Sequence, residues 1–333
     1  MTQIPVDYHF SDIEREEIFS ILSQIKTNPY EDYDSFSKDV FKLLNNNDVA
    51  PALKKVCEQK NSINSFEDPY VFLKNCPIDK ELPFLDFDEP VLDKRKRKKT
   101  YVSEAFLLMY AKYMKQEPIG YINVNDGDVF QDIHPKKSLV GSQSQKALKP
   151  IYFHKDLANH FVRPDWVNII GLRSNLKNQV FTSFVSNKQL LEGLDQKTLD
   201  DLKRYEFQTP YDDLSKYNSH VELGEPDIHP ILGGATPTDI RIFENRTFAL
   251  TPRAEEALKI VLEKLHKIKI RLQVGAGDFI GSANNDCLHC KEVLFVEDEE
   301  SLQNRWLMKT VNVKSLNHHQ QHFLEGTSRT VNG

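Results

Sequence analysis

As far as Lys115 the apolar residues of this chain recur every third or fourth position, and beyond Glu117 they come in short β-rich runs separated by Gly, Asn and Pro. That change of period calls for helices first and strands afterwards. Ser11-Asp12-Ile13-Glu14 has the form of a capping box, and Ile13, Ile18, Ile21, Leu22 and Ile25 follow at helical spacing until Asn28-Pro29 ends the run. Asp34 to Asn45 repeats the pattern with Phe36, Val40, Leu43 and Leu44. A shorter helix follows Pro51, and Ser103 to Lys115 sets Phe106, Leu107, Tyr110 and Met114 on one side. Residues 64–93, rich in Pro, Asp and Phe without a period, read as loop.

In the second part, Ile119–Val124 and Val129–Ile133 flank Asn125-Asp126-Gly127-Asp128, a hairpin turn signal. Ser138 to Gln145 is a polar loop leading into a strand at Ile151–His154. Trp166–Leu172, Val180–Val185, Ile270–Val274, Phe279–Ser282 and Trp306–Val313 also read as strands. Leu190 to Tyr205 reads as helix. Thr251-Pro252 opens another, with Ala257, Leu258, Val261, Leu262 and Leu265 as its buried stripe. Between these two, 206–246 holds several Pro and Gly and reads as an insertion or lid. The predicted class is α+β, an antiparallel core buttressed by helices. A double-layer, jelly-roll or cupin-like barrel would remove the exposed strand edges. The expected organisation is a helical N-terminal region, 1–100, packed on a β core, 101–333, as one structural domain.

Bulk properties narrow the function. Forty-nine acidic and 43 basic residues give a net charge of −6, against general nucleic-acid binding. The exception, Lys94-Arg95-Lys96-Arg97-Lys98-Lys99, reads as a solvated linker neutralised in part by Asp86, Asp88, Glu89 and Asp93. No run approaches the ~18 apolar residues of a membrane span, and the N-terminus lacks a basic and an apolar signal region. A cytoplasmic location is expected, with no membrane partner. The four cysteines, at 57, 76, 287 and 290, form no disulfide framework.

The chemistry concentrates at Ile151-Tyr152-Phe153-His154-Lys155-Asp156. Side chains at i and i+2 of an extended strand leave the same face, so His154 and Asp156 can meet one metal ion while Lys155 points away. A second histidine from a distant strand would complete a 2-His-1-carboxylate set suited to non-haem iron(II), and His289 is the candidate. Two alternatives stand beside this reading: a zinc site on Cys287, His289 and Cys290, and a cupin-like metal-binding protein without turnover.

From about Glu104 to about Val313 the chain resembles the clavaminate synthase-like iron(II)/2-oxoglutarate oxygenases, close in type to bacterial arginine, lysine and asparagine hydroxylases and more distantly to taurine dioxygenase. The landmarks are Glu117-Pro118-Ile119-Gly120-Tyr121, Val129-Phe130-Gln131-Asp132-Ile133-His134-Pro135, Phe153-His154-Lys155-Asp156, Arg163-Pro164-Asp165 with Gly171-Leu172-Arg173, and Gly277-Asp278 through His289 to Arg305-Trp306-Leu307. The resemblance implies a double-stranded β-helix core with iron held by His154, Asp156 and His289. Arg305 would grip the far carboxylate of the cosubstrate 2-oxoglutarate, and Thr182 would hydrogen-bond it. Lys309, four residues past Arg305, would pair with a substrate carboxylate, and Gln131 and Ser144 would meet the backbone groups of an amino acid. Glu244 is the single acid where basic amino-acid hydroxylases place a pair for the substrate side chain. The implied reaction consumes O2 and 2-oxoglutarate, releases succinate and CO2, and hydroxylates a free L-amino acid or close derivative, with lysine or arginine the first suggestion. Nothing in the sequence bears on oligomeric state.

Overall fold

The computed structural model describes residues 3–46, 48–211, 225–234 and 236–332. Helices α1 (Asp12–Leu22), α2 (Tyr33–Asn46) and α3 (Pro51–Asn61) come first, after the two-residue strand β1 (Tyr8–His9). The predicted capping box is present: Ser11 accepts from the Glu14 N–H, and Glu14 accepts in return from the Ser11 N–H. Then follow β2 (Tyr70–Lys74), α4 (Pro90–Arg97), α5 (Val102–Tyr113), β3 (Glu117–Tyr121), β4 (Gln131–Ile133), β5 (Ile151–His154), β6 (Trp166–Arg173) and β7 (Gln179–Ser186). The remainder comprises α6 (Asn187–Leu191), α7 (Gln196–Leu202), β8 (Phe207–Gln208), β9 (Ile228–His229), β10 (Phe248–Ala249), α8 (Pro252–Ile268), β11 (Ile270–Leu272), β12 (Phe279–Ala283), β13 (Cys287–Phe295), α9 (Glu299–Gln303), β14 (Trp306–Val313) and β15 (Thr330–Val331).

This is a mixed α/β fold with a large sheet and flanking helices. The large sheet runs β1-β2-β12-β6-β14-β3-β15, with β4 also on β14; a second sheet runs β11-β7-β13-β5, and a small one β10-β8-β9. Alternation along each strand sorts the core into layers. On the large sheet Val71, Leu73, Ile170, Leu172, Trp306 and Met308 face α1, α2, α3 and α5, while Phe72, Ile169, Leu307 and Val311 turn inward to Phe184, Ile270 and Cys287 of the second sheet. The other face of that second sheet, with Phe153, Val185 and Leu288, is covered by Leu190, Leu202, Val261 and Leu265 of α6–α8. Gly171 marks a place where backbones close up, since a Cβ there would lie 1.9 Å from the Gly275 carbonyl oxygen.

Several expectations are corrected. Residues 64–93 are not all loop: β2 joins the large sheet beside β12, its two apolar faces splitting between the helix layer and the inner layer. The 119–133 segment is not a hairpin. Strands β3 and β4 lie in sequence along β14 without pairing to each other, because Asn125, Asp126 and Gly127 are all left-handed and form a 3₁₀ turn instead of a two-residue hairpin turn. The Leu190–Tyr205 helix divides into α6 and α7, each N-capped by its own side chain, Ser186 and Asp195.

The basic run is no linker. It forms the end of α4, and Lys94 and Lys98, four residues apart, are fully buried. Lys94 Nζ lies 2.6 Å from Asp132 Oδ2, and Lys98 Nζ lies 2.8 Å from both Asp79 Oδ2 and Glu104 Oε2. Pairing of this kind offsets the cost of keeping a cation out of water. The insertion expected at 206–246 contributes β8 and β9; its residues 212–224 and 235 lie outside the described residues. Among the described residues, no helix is long and apolar enough to cross a membrane.

Candidate metal centre and adjoining cavity

Period-2 alternation delivers the site. On β13, Leu288 and Cys290 face the helices of the outer layer, so His289 and Lys291 face inward. On β14, Leu307 packs inward, and Arg305 and Lys309, two residues to either side, share its face. On β5 Phe153 packs outward and His154 inward. All meet at one cavity of about 420 Å³ between the two sheets.

His154, Asp156 and His289 offer ligand atoms that all lie within 4.8 Å of one another, the arrangement a divalent metal needs. Strands β13 and β5 pair His289 directly with His154, which places their rings 4.5 Å apart. His154 Nδ1 donates to the Tyr152 carbonyl (2.8 Å), leaving Nε2 to face Asp156 Oδ1 at 3.3 Å; His289 Nε2 stands 3.5 Å from the same oxygen. Phe243 stacks on His154 with ring centroids 5.6 Å apart and planes 14° apart. Asn284 clamps the Asp156 backbone, accepting from its N–H (3.0 Å) and donating to its carbonyl (3.1 Å). Lys155 turns away, as the spacing predicts, into a buried 2.5 Å pair with Asp239.

Electrostatics keeps the donors ready. Burial opposes ionisation of Asp156, but Lys309 Nζ at 2.9 Å and the two histidines outweigh it and hold the carboxyl well below its ordinary range. Burial, with His154 alongside, lowers His289, so its imidazole is neutral, the form that ligates metals.

The cavity wall beyond the cluster is cationic. Arg305 is 6% exposed, and its Nε has no hydrogen-bond partner. Burial pushes its guanidinium down to about 10. Lys291 sits across the ladder from Thr182 and close to Arg305; burial and that neighbour bring it to about 7, and its Nζ donates to the Ala147 carbonyl (2.5 Å). Thr182, Gln131, Ser144 and Lys309 line the same cavity.

No protein-family model matches the chain. Clavaminate synthase 2 of Streptomyces clavuligerus is 26% identical over 185 residues, 55% of each chain. L-Asparagine oxygenase of Streptomyces coelicolor is 25% identical over 197 residues, 59% of this chain and 57% of that one. These alignments span little more than half the length of either curated relative. Among solved structures, asparagine oxygenase in complex with Fe(II), 2S,3S-3-hydroxyasparagine and succinate superposes with a TM-score of 0.81 at 20% identity, covering 97% of this chain and 98% of that one. The non-heme iron oxygenase OrfP in complex with Fe and alpha-ketoglutaric acid gives 0.81 at 17% identity, covering 99% and 100%. The chain is similar in sequence to clavaminate synthase and in fold to these iron oxygenases.

Glu244 departs from its expected place. It does not line the cavity; Oε2 accepts from the Phe153 N–H (3.0 Å) and Oε1 meets His266 Nε2 (2.5 Å), so the acid braces β5 from outside. The zinc alternative fails on strand geometry, because Cys290 leaves β13 on the face opposite His289. Both nearby thiols are buried and raised by desolvation, Cys290 to about 12. Phe243, Asn284 and Lys291 were not anticipated from sequence. Only Lys291 carried a signal, standing two residues beyond His289 on one strand and hence on its face.

Proposed function

We propose that the protein is an iron(II)- and 2-oxoglutarate-dependent oxygenase that hydroxylates an unactivated C–H bond of a free α-amino acid or close derivative, with release of succinate and CO2. One observation carries the reading: a His-Asp-His cluster opens on the same cavity as a buried arginine that has no carboxylate partner among the described residues. The donor set fits iron(II), having two imidazole nitrogens and one carboxylate oxygen with room left for further ligands. The orphaned guanidinium fits a dicarboxylate cosubstrate, which it can meet through two parallel hydrogen bonds. The sequence likeness to clavaminate synthase and L-asparagine oxygenase supports the same class. The two sheets facing each other across the cavity are read as the halves of a double-stranded β-helix, with the helices of residues 1–100 packed against it and β1 and β2 added to its larger sheet, in one structural domain.

In this reading His154, Asp156 and His289 hold the metal, which when bound supplies the oxidative chemistry that couples 2-oxoglutarate decarboxylation to hydroxylation. Lys309 keeps Asp156 anionic, and its ammonium, with three donors, can also take the α-carboxylate of the substrate. Arg305 and Thr182 take the far carboxylate of 2-oxoglutarate. Gln131, whose buried Nε2 lacks a partner, and Ser144 face the substrate's backbone groups. Phe243 and the inner apolar layer keep water from the reacting end.

The test is anaerobic reconstitution with iron(II) and 2-oxoglutarate, admission of oxygen with a panel of amino acids, and measurement of succinate and of a product sixteen mass units heavier. Substrate-coupled succinate is expected. Its absence across the panel, with metal and 2-oxoglutarate shown to bind, would remove the amino-acid hydroxylase assignment.

A further inference from the structure

Resting on that reading, we propose that the substrate is a dicarboxylic α-amino acid and that Lys146 receives its side-chain carboxylate. Among the described residues lining the cavity, the basic side chains are Lys146, Arg246, Lys291, Arg305 and Lys309, and the only carboxylate is Asp156. Asp156 is already engaged by Lys309 and both histidines. Glu244, the acid expected to meet a cationic substrate, is spent on the backbone of β5 and on His266. A lysine or arginine side chain entering this cavity would add a cation to a wall that offers it no free acid among the described residues, at low dielectric where like charges repel strongly.

The positive charges also outnumber what the cosubstrate can use. Arg305 with Thr182 suffices for one far carboxylate, Lys291 donates to the Ala147 carbonyl, Arg246 donates to the Pro210 carbonyl and stacks on Phe243, and Lys309 is set for an α-carboxylate. Lys146 remains. It lines the cavity beside Asn125, and its Nζ donates to a neutral acceptor, Asn125 Oδ1, at 2.6 Å. Its backbone is fixed on both sides: the Lys146 N–H donates to Ser144 Oγ (3.1 Å), and its carbonyl accepts from the Lys136 N–H (3.0 Å). An ammonium held in this way on the cavity wall is complementary to a carboxylate.

The experiment measures binding, not turnover. Protein loaded anaerobically with iron(II) and 2-oxoglutarate is titrated calorimetrically with aspartate, glutamate, 2-aminoadipate, asparagine, glutamine, lysine and arginine. One dicarboxylic amino acid should bind about tenfold to a hundredfold more tightly than its own amide, the range of a hydrogen bond to a charged group. Lysine and arginine should bind more weakly still. Lys146→Met should abolish the preference for acid over amide, Lys146→Arg should retain part of it, and 2-oxoglutarate binding should be unchanged in both. Tighter binding of lysine or arginine, equal binding of acid and amide, or an unaltered preference in Lys146→Met overturns the inference. Absence of 2-oxoglutarate binding in the parent protein overturns the oxygenase reading itself and this inference with it, so the two failures are distinct.

Discussion

Replacing Arg305 by leucine should stabilise the ligand-free protein and cripple its hold on 2-oxoglutarate, two effects of opposite sign from one substitution. The guanidinium is buried without a carboxylate, and desolvation brings it from 12.5 to about 10. That displacement corresponds to about 3 kcal/mol, and because the folded value lies below the unfolded one, that cost is borne at every pH below about 10. Leucine removes the stranded charge, so the ligand-free variant should gain up to about 3 kcal/mol, less whatever packing the shorter side chain fails to restore. Losing a paired, desolvated charge contact should meanwhile cost roughly 2–5 kcal/mol of cosubstrate affinity, about thirtyfold to several thousandfold. Urea denaturation at pH 7.5, with and without manganese(II) and 2-oxoglutarate, reads both quantities. The parent midpoint should rise with ligand; the variant should start higher and not respond. Arg305→Lys keeps the charge but not the planar fork and should fall between. A lower ligand-free midpoint together with an undiminished response to 2-oxoglutarate would refute the reasoning.

His154→Ala, Asp156→Ala and His289→Ala should each abolish metal-induced stabilisation and substrate-coupled succinate while leaving the far-ultraviolet circular dichroism unchanged; full activity in any one of them rules out the ligand set. Lys98→Met should destabilise by about 3–5 kcal/mol in chemical denaturation, since it strands the buried Asp79 and Glu104 carboxylates, and a loss below 1 kcal/mol would show the pair to be neutral already. Glu292 is raised by burial, but hydrogen bonds from Arg271, Lys269 and Ser183 outweigh that and hold it at about 2. Its folded pKa lies below the unfolded value, so its stabilisation is full above about pH 4.5 and is lost as pH falls towards 2. Glu292→Gln should therefore cost on the order of 1–2 kcal/mol at pH 7, after allowance for solvent screening, and nothing near pH 2; a loss independent of pH would contradict the assignment.

What could be read in the sequence follows from period. The helices α1, α2 and α8 carry a 3.6-residue apolar stripe, β6, β7 and β14 are long β-branched and aromatic runs, and His154 with Asp156 needed only strand parity to be placed on one face. Strand β2 was hidden because both its faces are buried, which leaves Tyr70–Lys74 with no polar alternation to detect. Glu244 was misplaced for a different reason: a carboxylate near a site can serve substrate or scaffold, and the choice rests on a Phe153 N–H and a His266 that lie far away in the chain. Asn284 escaped notice because its role is to hold the Asp156 backbone through two hydrogen bonds, a relation between loops 128 residues apart.

The basic run is tied to the site through the helix layer. Taken as a solvated linker, Lys94 has no bearing on chemistry. Buried, it faces Asp132 Oδ2 at 2.6 Å, and Asp132 Oδ1 accepts from the indole N–H of Trp306 at 3.0 Å. Trp306 is fully buried against the helix layer, and its neighbour Arg305 turns to the cavity. The aspartate therefore pins the start of β14 from one side while the arginine offers its guanidinium on the other. Alternation makes the two consecutive residues serve opposite layers, so the orientation of the cationic wall depends on a lysine from α4. Arg173, beside Trp306 in the ladder, adds a second tie by donating to the Leu82 carbonyl at 2.7 Å. Helices that touch no substrate thus set the direction of the group proposed to hold the cosubstrate, and a change at Lys94 or Asp132 should be felt in 2-oxoglutarate binding before it is felt at the metal ligands.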